Sequence, residues 1–230
     1  MLIRAEFKKL KPVRYISHLE LMDTFRRSFR RARLPAAYSQ GYNPHIKLAL
    51  GQPLPVGMVG FSEYLDLELC AQIPASEAVN RINNNLPQGI RLSEAHYIPD
   101  DAKSLQAAVN TAVYLFVMKF SGPVQPEQIL QNFMARNKIE ITRHRRNKKD
   151  RRLDLRPLLY EAEAEAEKLW RFTVSTGSSG NVRPSEVVRA LSEQEENLES
   201  IPVVNIIREG MFVRKDEKLY KPFSEIIVND

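Results

Sequence analysis

The sequence predicts an α+β protein made of two ferredoxin-like (βαββαβ) units in tandem, the second embellished. Strand-like and helix-like segments follow the order βαββαβ over residues 1–99. A similar order returns over 104–213, with a basic hairpin inserted in its middle. A polar linker, Pro99 to Lys103, separates the two, and residues 214–230 form a mixed tail.

Leu2 to Lys9 reads as the first strand, and Leu10 to Arg14, with Pro12, as a turn. Ser17 followed by Glu20 is a capping-box pattern, so a helix begins there and runs to about Arg33. Its apolar residues Leu21, Met22, Phe25, Phe29 and Ala32 fall within one arc of about 100°. Arg26, Arg27, Arg30, Arg31 and Arg33 fall on the other side, so the helix is expected to present five guanidiniums. Pro35 stops it. Tyr38 to His45 is a loop rich in turn formers, Ile46 to Leu50 a short strand, and Gly51 to Gly57 a rigid connector. Ser62 to Cys70 alternates with period two, as a half-buried strand does. A helix over Ser76 to Leu86 and a strand over Ile90 to Tyr97 complete the first unit.

The second unit opens with an apolar strand, Ala112 to Phe120, then a helix from Pro126 to Arg136. Lys138 to His144 begins a strand, a basic turn follows, and Arg152 to Ala166 is expected to return as one strand. Leu169 to Ser175 is the next strand and Gly177 to Gly180 a flexible loop. Pro184 suits the first turn of a helix to about Leu191. Val203 to Val213 closes the unit, and Glu225 to Val228 is expected as an extra edge strand.

The 34 Lys and Arg against 28 Asp and Glu give a charge of +6, which is informative only where it concentrates in space. Cys70 is the only cysteine. It excludes an internal disulfide and a cysteine-held iron–sulfur cluster, and it fits a reducing, cytoplasmic setting. The first residues carry charges at once, and no apolar stretch approaches the roughly 20 residues of a membrane span. No histidine or cysteine spacing matches a metal site, so neither metal nor cofactor is expected.

The charge concentrates in two places, the arginine helix and the run Arg143 to Arg152, where seven cations face one anion. Between them lies an amide-rich loop with aromatic residues. Aromatic faces stack unpaired bases and arginines hold phosphates, so RNA is the expected partner. The candidate contacts are Arg14, Ser17, His18, Arg26, Arg27, Arg30 and Arg31 around the first helix. Ser39, Gln40, Tyr42, Asn43, His45 and Lys47 follow in the loop, then Arg145, Arg146, Lys148 and Lys149 on the hairpin and Arg183 beyond. Turn chemistry and ordinary core packing also fit Tyr38, Gly41, Tyr42, Asn43 and Pro44. If the protein is an enzyme, His18 and His45 are its candidate acid and base for metal-independent RNA cleavage. A protein-only adaptor that docks an acidic partner is the third reading.

The segments Arg14-Tyr15-Ile16-Ser17-His18-Leu19-Glu20, Tyr38-Ser39-Gln40-Gly41-Tyr42-Asn43-Pro44-His45, Pro53-Leu54-Pro55-Val56-Gly57 and Ser62-Glu63 resemble the uncharacterised radical-SAM-linked protein family. The resemblance extends more thinly through Asp154-Leu155-Arg156-Pro157 and Val182-Arg183-Pro184-Ser185-Glu186, over roughly residues 1–190. It implies a partner of the radical SAM class, to which this chain presents substrate as an accessory.

Overall fold

The computed structural model describes residues 1–145, 148–178, 180–199, 201 and 205–228. In the first half, β1 (Leu2–Lys9), β2 (Leu48–Leu50), β3 (Val59–Glu68) and β4 (Ile90–Ile98) alternate with α1 (His18–Arg31) and α2 (Ala75–Asn83). A short α3 (Leu105–Ala108) leads into β5 (Thr111–Val117) and α4 (Pro126–Met134). The hairpin β6 (Glu140–Arg145) and β7 (Lys148–Asp154) precedes β8 (Leu159–Ala166), β9 (Leu169–Ser175), α5 (Pro184–Ser192) and β10 (Ile206–Lys215). The chain ends with β11 (Lys218–Tyr220) and α6 (Glu225–Val228).

The strands of both halves join one nine-stranded mixed sheet, ordered β4-β1-β3-β10-β5-β9-β8, with β2 beside β3 and β11 beside β10. Every pairing is antiparallel except one: β3 and β10 run parallel at Val59↔Ile207 and Gly60↔Arg208. That seam welds the two expected units together. The hairpin β6–β7 stands apart as a second, two-stranded sheet.

Period-two alternation explains β1. Ile3, Ala5 and Phe7 face a core with Phe25, Phe29, Leu65, Leu67 and Ile82. Phe7 meets Phe25 edge-on at 4.9 Å. Each such large apolar side chain stabilises the fold by roughly 1.5–3 kcal/mol. The second half repeats the plan with Phe116, Phe133, Trp170, Phe172, Val187 and Leu191 under α4 and α5.

On the other face Arg4 and Glu6 carry charges, and these two are also buried. Arg4 grips Asp66 through two bonds of 2.7 and 2.8 Å and donates to the carbonyls of Pro222 and Lys103, each at 2.9 Å. Lys221 bridges Glu6 and Glu94. Phe223 stacks on His96 at 4.3 Å. The linker and the tail thus cover the charged side of β4-β1-β3.

Two expected strands differ. Arg152 to Ala166 is broken after Asp154 by a 3-10 turn over Arg156–Leu158. Pro157 has no N–H for a ladder, Leu155 is fully buried, and the Asp154 carboxylate accepts from the Ile139 and Arg156 amides. Glu225 to Val228 is helix rather than edge strand: the amides of Ile227 and Val228 both donate to the Ser224 carbonyl, and this turn buries Ile227. The first residues of the expected strand Val203 to Val213 lie outside the described residues. Among the described residues no helix is long and apolar enough to cross a membrane.

Candidate nucleic-acid interface

The candidate interface centres on α1, and α1 is set in place by buried charge. Ser17 and Glu20 close the capping box, Ser17 N–H donating to Glu20 Oε2 at 2.7 Å and Glu20 N–H to Ser17 Oγ at 3.3 Å. Just upstream, the buried Lys9 ammonium donates to the carbonyls of Arg14 (3.1 Å) and Ile16 (2.9 Å). At the other end, Arg81 donates to the carbonyls of Ala32 (3.1 Å) and Arg33 (2.6 Å), satisfying groups that a helix C-terminus leaves without partners.

Behind the start of α1 lies the seam. Arg208, 1% exposed, binds Glu63, 4% exposed, through two bonds, one of them 2.7 Å. It also donates to the carbonyls of Gln52 (2.8 Å) and Pro53 (3.3 Å). Burial works against the Arg208 charge, yet Glu63 and Tyr114 hold its pKa above the ordinary guanidinium value. Lys9, His18, Gln52 and Glu63 line a cavity of about 10 Å³ here, at the lower limit for one water molecule.

Burial lowers the pKa of His18; Arg208 and Lys9 lower it further, and Glu63 opposes them. The fold therefore favours the neutral ring. Its contribution to stability is fully present above the unfolded value of about 6.5 and is lost as pH falls from there through the lower folded value. In an NMR titration, the His18 ring protons are expected to show a midpoint below 6.5. His18→Gln is expected to flatten the decline of the urea midpoint between about pH 7 and 5. A midpoint at or above the ordinary value would contradict this account of the seam.

The arginine face of α1 is narrower than its sequence suggests. Arg27, Arg30, Arg31 and Arg33 are exposed, whereas Arg26 is half-buried and tied to Asp23 at 3.2 Å. The cause is its position at the border of the apolar arc, beside the buried Phe25. Arg27 and Arg31, one turn apart, open into a groove of about 620 Å³ between α1 and the turn after α2. Val13, Ile16, Leu86 and Pro87 supply its apolar wall, and Asn84 and Asn85 its amides. Arg14 stacks over the Tyr15 ring at 4.9 Å and donates to its hydroxyl at 3.0 Å, with Tyr15 itself 62% exposed.

The loop from Tyr38 to His45 is a finger closed at its base by the bridge between Tyr38 and Ile46. Ser39 N–H donates to the His45 carbonyl, and His45 N–H to Ser39 Oγ, closing a tip on which Gln40, Tyr42 and Asn43 are exposed. Tyr42 makes no core contact, which settles its packing alternative in favour of solvent. Lys47 is held by Glu68 at 2.9 Å. His45 sits on this finger and His18 at the seam, and among the described residues no hydrogen bond joins them.

The basic hairpin belongs to α5. Arg143 binds Glu186 at 2.8 and 2.7 Å, the Arg183 amide donates to the same carboxylate at 3.0 Å, and Arg189 donates to the Thr142 carbonyl. Lys149 and Arg183 are exposed. Arg146 and the side chains of Arg145 and Lys148 lie outside the described residues, though the backbones of Arg145 and Lys148 pair. The Gly177 loop is packed: a Cβ there would sit 2.7 Å from the Val109 carbonyl, at a backbone φ of +81°. Among the described residues no three His, Cys, Asp or Glu side chains gather as a metal site would require.

Sequence reasoning missed Tyr15, Asn84 and the buried set Lys9, Glu63 and Arg208. The Arg14-Tyr15 pair was visible as a signal; the others depend on contacts distant in sequence.

The family described as "Uncharacterized protein conserved in bacteria (DUF2344)" matches residues 2–184. The chain belongs to this family. The description of DUF2344 names no partner enzyme. No curated protein matches the sequence. Similar solved structures include a Cbf5-Nop10-Gar1 complex, at 14% identity and TM-score 0.45, covering 90% of this chain and 47% of that one. An H/ACA RNP bound to a substrate RNA containing 2'-deoxyuridine aligns at 14% identity and TM-score 0.44, over 97% of this chain and 49% of that one. The archaeal box H/ACA sRNP Nop10-Cbf5 complex aligns at 13% identity and TM-score 0.41, over 96% and 49%. This DUF2344 chain spans about half the length of those solved chains.

Proposed function

We propose that this protein binds single-stranded RNA along the exposed face of α1. The observation that carries the reading is the groove beside Arg27 and Arg31, which no carboxylate of the described residues lines. Like charges one helical turn apart repel each other. With no anion among the described residues to offset them, they fit an anionic ligand. The exposed Tyr15 ring, between the groove residues Val13 and Ile16, adds a stacking face of the kind single strands use. The two ferredoxin-like halves form the rigid platform, and the tip at Tyr42 and the hairpin at Lys149 add outlying contacts. On the resemblance of its N-terminal motifs, the protein presents the bound RNA, in the cytoplasm, to a separate radical SAM enzyme.

The test is equilibrium binding of a labelled 12-nucleotide single-stranded RNA across a potassium chloride series. Three or four phosphates held by guanidiniums give a log–log slope of about −2 to −3, at about −0.7 per phosphate. Salt-insensitive binding, or none at low salt, would refute the reading and favour the protein-only adaptor.

A further inference from the structure

We propose that the groove between α1 and the turn after α2 is a subsite for one unpaired nucleotide, its base edge read by the side-chain amide of Asn84. The inference rests on the RNA-binding reading and adds a specificity-determining residue to it. The volume of about 620 Å³ falls within the range of small-ligand sites and accommodates a base with its sugar. The lining is divided by chemistry. Val13, Ile16, Leu86 and Pro87 make an apolar wall for the face of a ring. Arg27 and Arg31 line the groove from α1, where a 5′ phosphate would meet their guanidiniums.

The polar groups differ in what they have left to offer. Asn85 Nδ2 already donates to the Arg81 carbonyl at 2.9 Å, and the Asn85 carbonyl accepts from Ser28 Oγ at 2.9 Å. Thr24 Oγ1 donates to the Glu20 carbonyl at 2.7 Å and accepts from Arg27 at 3.2 Å. Asn85 is thereby fixed as part of the wall. Asn84, the C-cap of α2, is exposed, and its side-chain amide has no hydrogen bond among the described residues. A free amide offers one acceptor and two donors side by side, the pattern that pairs with a base edge. Arg31 likewise has no described partner, while Arg27 keeps most of its guanidinium free beyond Thr24.

The experiment measures binding of rA12, rC12 and rU12, and of adenosine, cytidine and uridine 5′-monophosphates, to wild type and Asn84→Ala. Wild type is expected to prefer one homopolymer over the worst by about fivefold or more, and Asn84→Ala to bring that homopolymer down to the level of the others. Arg31→Gln is expected to weaken all three alike and to reduce the salt slope by about 0.7. Circular dichroism checks that Asn84→Ala, an exposed change, is folded. RNA binding with no homopolymer preference, or with a preference that survives Asn84→Ala, overturns the subsite and leaves the RNA reading standing. Mononucleotide binding that Asn84→Ala abolishes, without any homopolymer binding, supports the subsite and sinks the RNA reading. Binding of neither probe overturns both.

Discussion

Arg208→Met is expected to destabilise the protein by about 3–5 kcal/mol, the usual cost of leaving one member of a buried ion pair alone. Glu63 is 4% exposed, so water cannot replace the lost partner, and the Gln52 and Pro53 carbonyls lose their donor as well. At roughly 2–4 °C per kcal/mol for a chain of this size, the melting temperature falls by about 10 °C. Glu63→Leu, which leaves the guanidinium without a counter-charge, acts in the same direction. Glu63→Leu combined with Arg208→Met is expected to recover most of the loss, because exchanging both charges for apolar volume removes the desolvation cost with the attraction. Urea unfolding of the two singles and the double gives the coupling. A single-mutant loss below about 1 kcal/mol would mean that the seam is not held by this pair.

The double reversal Arg27→Glu and Arg31→Glu is expected to lower affinity for single-stranded RNA about a hundredfold at low salt. It is expected to flatten the salt dependence by about 1.4, two contacts at about 0.7 each. Both residues are exposed, and exposed substitutions usually stay within about 0.5 kcal/mol of wild-type stability, so the loss is one of binding. The parallel reversal of Arg26, tied to Asp23, is expected to do much less. Equal losses from both faces would mean that net charge, and not the groove, attracts the RNA.

The elements with local signatures were legible in the chain. β1 and β9 keep the limits that their apolar runs suggest, and α1 starts where Ser17 and Glu20 place it. Misreadings occur where tertiary contact decides. The run from Arg152 to Ala166 looks continuous until Leu155 is seen to dive into the core, and the Glu225 segment is too short for its pattern to separate strand from helix. The alternation over Ser62 to Cys70 suggests one buried and one solvated face, yet Glu63 and Asp66 are buried, as are Arg4 and Glu6 of β1. They are buried because partners 58 to 218 positions away close over them. The same distance hid the groove. Arg27 was visible as a surface cation, but its meeting with Asn84 depends on α2 packing against α1, which no local pattern encodes.

The grip of Arg4 on the Pro222 carbonyl also sets a timetable for folding during synthesis. A ribosome releases the chain from the N-terminus, so β1, β3 and β4 are available while the tail has not yet been made. In that interval Arg4 and Asp66 face solvent, and the first half stands without its cover. The last hydrogen bonds of β1, second in the sheet order, are therefore completed by a segment translated 218 residues after Arg4. A nascent chain stalled before Pro222 is expected to show protease sensitivity in β1 that the released chain has lost.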